Sequence, residues 1–142
     1  MEKKVRIGII GSGSNATRHA AAYKKMDDVE LVAVADLVPG KAAEFIKQQG
    51  LTQARPFESH KALLELDLDG VSICTPNIAH HETSVDALNA GKHVLTEKPM
   101  AVTLEQAVDM VKAVRRAGKI LTVGFHPRYD PNIQEIKRIV QS

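Results

Sequence analysis

Cysteine is nearly missing from the 142-residue sequence, Cys74 being the single example. This excludes an internal disulfide framework and any Cys-rich zinc site, and nothing requires an oxidising compartment. A surplus of charge is missing too. Lys+Arg total 19 and Asp+Glu total 17, a net charge of +2 with both signs interspersed, so the chain lacks the basic patch or stripe that a nucleic-acid or anionic-membrane surface requires. No stretch reaches the roughly 18 apolar residues of a membrane span. The start, Met1 to Ile10, is basic and then apolar, but Arg6 interrupts the apolar stretch and Gly11 ends it without a small-residue cleavage site, so it does not read as a secretory signal. There is no repeat, low-complexity tract or Ser/Pro-rich linker. No Cys-x-x-Cys or His-Glu-x-x-His spacing suggests a metal, no Gly-x-Ser-x-Gly elbow a hydrolase, and no Walker loop an NTPase. The expectation is a cytoplasmic protein with small-molecule partners.

What is present, 44% apolar and 25% charged residues, suits one globular domain with a real core. Short β-branched runs alternate with longer segments of helical period, the pattern of strand-helix-strand units around a parallel sheet. Six strand candidates are Val5 to Ile10, Leu31 to Ala35, a weak one near Ala54 to Phe57, Gly70 to Cys74, His93 to Thr96 and Ile120 to Gly124. Most are continuously apolar, as strands covered on both faces should be. Thr103 precedes a stripe of Leu104, Ala107, Val108, Val111 and Val114 that Gly118 closes. Ser59 and Asn77 are candidate caps for two further helices, and Pro39 opens another reaching Gly50. After the sixth strand, Ile133, Ile136, Ile139 and Val140 form a last apolar stripe, either packed back on the sheet or lacking a partner.

The most informative segment is Gly11-Ser12-Gly13-Ser14-Asn15-Ala16, between the first strand and the first helix. In this G-x-G-x-x-A pattern Gly11 allows a tight turn, Gly13 lets backbone approach a pyrophosphate without a Cβ in the way, and Ala16 permits close helix-strand packing. Unpaired N–H groups at the helix start would hold the phosphate charge. A bare glycine turn would look similar. Asp36, however, ends the second strand 25 residues after Gly11, near the spacing expected of a carboxylate on the adenosine ribose. Such a carboxylate repels a 2′-phosphate, which favours NAD over NADP, although Lys41 is near enough to soften that preference. A helix-capping or turn role would also account for Asp36.

Ligands of parallel sheets bind beyond the carboxyl ends of strands. Cys74-Thr75-Pro76-Asn77 follows the fourth strand and Glu97-Lys98-Pro99 the fifth, so these loops should border the nicotinamide half of a dinucleotide. Lys98 is the best candidate for acid-base work, since burial and a cationic nicotinamide would favour its neutral form; a surface lysine is the alternative. His19 shares a helix face with Ala16 and Tyr23 and reads as a packed histidine, His60 as exposed and His93 as part of a strand. Lys112, Arg115, Arg116 and Lys119 read as a solvated basic face near a helix C-terminus.

Gly11-x-Gly13, Asp36, Thr75-Pro76-Asn77-x-x-His80, Ala90-Gly91-Lys92-His93-Val94-Leu95-Thr96-Glu97-Lys98-Pro99 and Arg128-Tyr129-x-Pro131 together resemble the glucose-fructose oxidoreductase / inositol dehydrogenase / MocA (Gfo/Idh/MocA) family over nearly the whole chain. The resemblance implies an α/β Rossmann fold, a doubly wound parallel six-stranded sheet with helices on both faces. Residues 1–125 would form the dinucleotide-binding domain, and 126–142 a connection toward a second α/β domain that is not in this sequence. It further implies NAD, with NADP possible, and a sugar or polyol substrate whose hydroxyl Lys98 helps to bind and deprotonate. Glu97 and Pro99 would shape the lysine's loop, with a cis bond before Pro99. The cofactor-binding set would be Gly11, Ser12, Gly13, Ser14, Asn15, Asp36, Thr75, Pro76, Asn77, His80, Glu97, Lys98 and Arg128, and the full-length protein a homo-oligomer. These 142 residues alone are expected to bind NAD and turn over little or nothing. A non-catalytic NAD-sensing or partner-binding module on the same fold is the competing reading.

Overall fold

The computed structural model describes residues 3–142, so Met1 and Glu2 of the domain assigned to 1–125 lie outside the described residues. Strands β1 (Val5–Ile10), β2 (Val29–Ala35), β3 (Arg55–Phe57), β4 (Gly70–Ile73), β5 (His93–Glu97) and β6 (Leu121–Gly124) form one sheet in the order β3-β2-β1-β4-β5-β6. Every neighbouring pair is parallel. Helices α1 (Ser14–Tyr23), α2 (Lys41–Gln49), α3 (His60–Leu64), α4 (His80–Asn89), α5 (Leu104–Ala117) and α6 (Pro131–Val140) complete the alternation. The order reverses between β1 and β4, which opens a crevice at their carboxyl ends. The doubly wound Rossmann fold is therefore present, with helices on both faces.

Pleating sorts the strand residues between two cores, because successive side chains point to opposite faces. Ile10, Ala33, Val71, Ile73 and Val94 pack with Leu63, Leu88 and Ala113 of α3, α4 and α5. Ile9 and Val34 face the other way, against Ala16 and Ala20 of α1 and Phe45 of α2. Ser59 and Thr103 cap their helices as expected, accepting from the backbone N–H groups of Lys61 and Gln106.

Other expectations shift. Asn77 opens a 3-10 turn, Asn77–Ala79, and α4 begins only at His80. Pro39 lies before α2, which starts at Lys41 behind a left-handed Gly40. In α5 the buried residues are Met110 and Ala113, whereas Leu104 is 75% exposed and Val108 and Val111 are more than two-fifths exposed. The helix is rotated because its small Ala113 packs into the core, so the Leu104–Val111 edge of the stripe turns outward. His60 is not exposed, since its Nε2 lies 2.9 Å from Asp86 of α4. The last helix does not pack back on the sheet, because every residue of α6 is exposed. Among the described residues no helix is long and apolar enough to cross a membrane.

Candidate active site

The turn after β1 is built from what its glycines lack. The Gly11 N–H donates to Ala35 O at 2.7 Å, and its φ of +91° lies in the left-handed region. A Cβ there would stand 2.7 Å from the Cys74 carbonyl and 2.8 Å from the Thr75 N, so the turn after β1 is pressed against the loop after β4. Gly13 differs: a Cβ built on it meets nothing within 4 Å. Gly13 is also the N-cap of α1, and among the described residues no side chain caps that helix. Ser14 and Asn15 occupy its first turn, and Ala16 is fully buried against the sheet. Open space above uncapped N–H groups fits a diphosphate, whose oxygens need donors and whose charge the helix N-terminus favours.

Asp36 follows β2 at the same edge. Its Oδ2 accepts from Ser12 N at 3.0 Å and Ser12 Oγ at 2.5 Å, and its Oδ1 accepts from Val38 N at 3.0 Å. Lys41 Nζ lies 3.6 Å from Oδ2. Burial alone would raise this carboxyl, but the Ser12 hydroxyl, the two backbone donors and Lys41 outweigh it and hold Asp36 below the ordinary carboxylate range. The acid is thus ionised and fixed beside the turn. Ser12 commits both of its donors to Asp36, so it shapes the acid that a ribose would meet.

The loops after β4 and β5 complete the crevice. Pro76, Asn77 and Lys98 are exposed, and the Lys98–Pro99 bond is cis. His80 is fully buried, its Nδ1 2.7 Å from Pro99 O and its Nε2 3.0 Å from Thr75 O, so it braces the two loops from within and does not line the surface. Arg128 lies exposed in the 3-10 turn His126–Tyr129 after β6. Thr75 Oγ1 and Glu97 Oε2 are buried and find no hydrogen-bond partner among the described residues. Orphaned polar atoms are uncommon in folded proteins and mark a place where a ligand or water completes the bonding.

Sequence reasoning missed the surroundings of Glu97. The residue is 2% exposed, and its Oε1 lies 2.9 Å from His19 Nε2 and 3.5 Å from His126 Nε2. Burial would raise the Glu97 carboxyl; the hydrogen bond and charge of His19, with His126 and the Lys98 backbone N–H, more than cancel that and lower it. Behind His19, its Nδ1 lies 3.2 Å from Ser72 Oγ, which lies 2.6 Å from the Tyr23 hydroxyl. Burial, and then the charge on Glu97, push the neighbouring Cys74 thiol up to about 12, which leaves it without a nucleophilic thiolate. The one available signal was that a histidine on the buried face of α1 requires a partner.

A glycine turn feeding a helix N-terminus, an acid closing the next strand and a crevice at the order reversal define a dinucleotide-binding α/β domain. Comparison with known proteins narrows the class. Residues 5–125 match the model of the Gfo/Idh/MocA oxidoreductase family, NAD-binding Rossmann fold, and the chain belongs to that family. It is 39% identical over 138 residues to a D-glucoside 3-dehydrogenase of Escherichia coli, an alignment covering 96% of this chain and 39% of that protein. The WlbA dehydrogenase of Chromobacterium violaceum, solved with NADH and UDP-GlcNAcA, superposes with a TM-score of 0.90 at 35% identity, over 99% of this chain and 41% of the other. A scyllo-inositol dehydrogenase of Lactobacillus casei, solved with NAD(H) and scyllo-inositol, gives 0.85 at 29% identity, over 98% and 41%. The chain thus spans about two-fifths of the length of the relatives it matches.

Proposed function

We propose that this chain is the nucleotide-binding part of an NAD-dependent oxidoreductase that moves hydride between a nicotinamide and a carbon bearing a sugar, polyol or inositol-like hydroxyl. The observation that carries this reading is the gathering of the Gly11–Ala16 turn, ionised Asp36, and the Thr75 and Lys98 loops at the carboxyl ends of four adjacent strands. The nicotinamide supplies the hydride chemistry when bound; the protein contributes placement and electrostatics. In this reading the N–H groups from Gly13 to Ala16 hold the diphosphate and Asp36 accepts from the adenosine ribose. Thr75, Pro76 and Asn77 border the nicotinamide side, and Lys98 exchanges the proton of the substrate hydroxyl. Asp36 favours NAD, and its Lys41 partner leaves NADP a weaker ligand. The substrate is oriented by a second domain like the remainder of the longer relatives, so these residues alone bind the coenzyme with little turnover. A cytoplasmic location and self-association of the full-length protein belong to the same proposal.

Titrating the chain with NADH and with NADPH, following nicotinamide fluorescence, tests it. NADH should bind with the higher affinity. Calorimetry silent toward both coenzymes at about millimolar concentration, where even a weak site of about −4 kcal/mol is half filled, would overturn the reading. A coenzyme-sensing module remains the second reading, favoured by the exposure of α6 and its four aliphatic residues. Full turnover by a Lys98→Ala variant of the two-domain protein would favour it over a dehydrogenase.

A further inference from the structure

We propose that His19 is a positioning residue for Lys98: through the Glu97 carboxylate it ties the loop after β5 to the helix whose N-terminus faces the diphosphate site. This rests on the cofactor reading above and adds a coupling between the two ends of that site. The geometry begins with the pleat. Ser72 of β4 pairs in register with Leu95 of β5, and Val71 and Val94 on the adjoining positions enter the α4–α5 core. Ser72, Leu95 and Glu97 therefore share the opposite face, the one that α1 covers. On α1, His19 and Tyr23 are one turn apart and lie on one side of the helix.

The hydrogen bonds form one continuous run from α1 across β4 and back to the end of β5. The Tyr23 hydroxyl lies 2.6 Å from Ser72 Oγ, Ser72 Oγ lies 3.2 Å from His19 Nδ1, and the His19 Nε2–H donates to Glu97 Oε1 at 2.9 Å. The run ends on a buried carboxylate adjacent in sequence to Lys98, whose second oxygen, Oε2, has no partner among the described residues. The Ser-His-Glu order invites a hydrolytic reading, but Ser72 is fully buried and already bonded to Tyr23, so no substrate carbonyl reaches it. The other groups facing Glu97 are His126, farther away at 3.5 Å, and the protonated Cys74 thiol. His19 is thus the short contact that fixes the carboxylate, and with it the peptide entering Lys98. Gly13 and His19 lie about 9 Å apart along the helix axis at 1.5 Å per residue. Through α1 and Glu97 the diphosphate end of the site is thus linked to the loop that carries Lys98.

The test compares two ligands on the same 142-residue chain: NADH, and ADP-ribose, which has the diphosphate and adenosine ribose but no nicotinamide. Calorimetry on His19→Ala should show ADP-ribose affinity within about twofold of the parent and NADH weakened by about tenfold, the loss expected when one charge-assisted hydrogen bond is removed. His19→Gln, whose Nε2–H can still donate to the carboxylate, should recover most of that loss. Equal weakening toward both ligands would show a general role in holding α1 and sink the proposal, as would unchanged NADH affinity in a folded His19→Ala. If His19→Ala fails to fold, Glu97→Gln carries the test, because it must reproduce the same split between ligands. A parent chain that binds neither ligand refutes the cofactor reading itself, a result separate from any behaviour of the variants.

Discussion

The two halves of the sheet present their carboxyl ends in opposite ways. After β1 and β2 the site is made largely by absent atoms, no Cβ at Gly11 or Gly13 and no side-chain cap on α1, beside one carboxylate that Ser12 of the first turn and Val38 of its own hold in place. After β4 and β5 it is made by added side chains, as His80 braces two loops from inside and Glu97 is reached by His19 from 78 residues away. One half relies chiefly on backbone donors at the turns that follow two adjacent strands. The other relies on buried polar groups, which need distant partners to offset the cost of leaving water.

The largest expected break in this comparison is Gly11→Ala. A positive φ costs an L residue about 1–2 kcal/mol, and forcing the Cβ against the Cys74 carbonyl adds about 1–3 kcal/mol more. Urea unfolding should therefore show a loss of several kcal/mol, whereas Gly13→Ala should unfold within about 1 kcal/mol of the parent and lose coenzyme binding instead. If the two alanines behave alike, the division of labour between the glycines is wrong. Next in size is Asp36→Ala, which removes the ribose acceptor and the repulsion of a 2′-phosphate. Fluorescence titration should find NADH about tenfold weaker, the loss of one or two charged hydrogen bonds, and the NADH-to-NADPH preference reduced or reversed.

Acid stability sharpens the comparison further. Asp36 and Glu97 both have carboxyls lowered by folding. The stability they contribute is fully present above the ordinary carboxylate value near pH 4 and is lost as pH falls through their lowered native values. Circular dichroism from about pH 5 to pH 2 should show that Asp36→Asn and Glu97→Gln each flatten the acid limb. An unaltered limb in both variants would remove the case for their charged native state. The smallest effect belongs to α6, where Ile136 is 56% exposed. Ile136→Ser should shift the unfolding midpoint of this chain by no more than about 0.5 kcal/mol, in contrast to Leu88→Ala in the buried core, which should cost about 2–5 kcal/mol.

Most of the sheet was legible because a buried parallel strand is a short apolar run, whatever surrounds it. The edges were less so. β2 starts at Val29, two residues before the apolar run, because parallel pairing with β1 carries the polar Glu30 along. β4 stops at Ile73, since Cys74 already turns toward Gly11. The stripe on α5 was visible but its orientation was not, because Ala113 and Met110 fill the core equally well in sequence terms and only packing selects them. Among the site residues, the first turn and Asp36 could be found by spacing. His80 was found as a member of the cofactor-binding set, and its buried bridge between the Thr75 and Pro99 carbonyls was not foreseen. His19 was found and given no partner, because Ser72 and Glu97 are brought to it by the pleat of two strands on the far side of the order reversal.

Chain order alone carries the strand-helix alternation, the glycine turn, the acid after β2 and the lysine loop after β5, since each is set by residue types within a strand-helix unit or by the regular spacing of such units along the chain. Folding chose which histidines meet which acids, which edge of α5 turns outward, and that α6 stays off the sheet, because those outcomes depend on helix rotation and strand register across separations of many tens of residues.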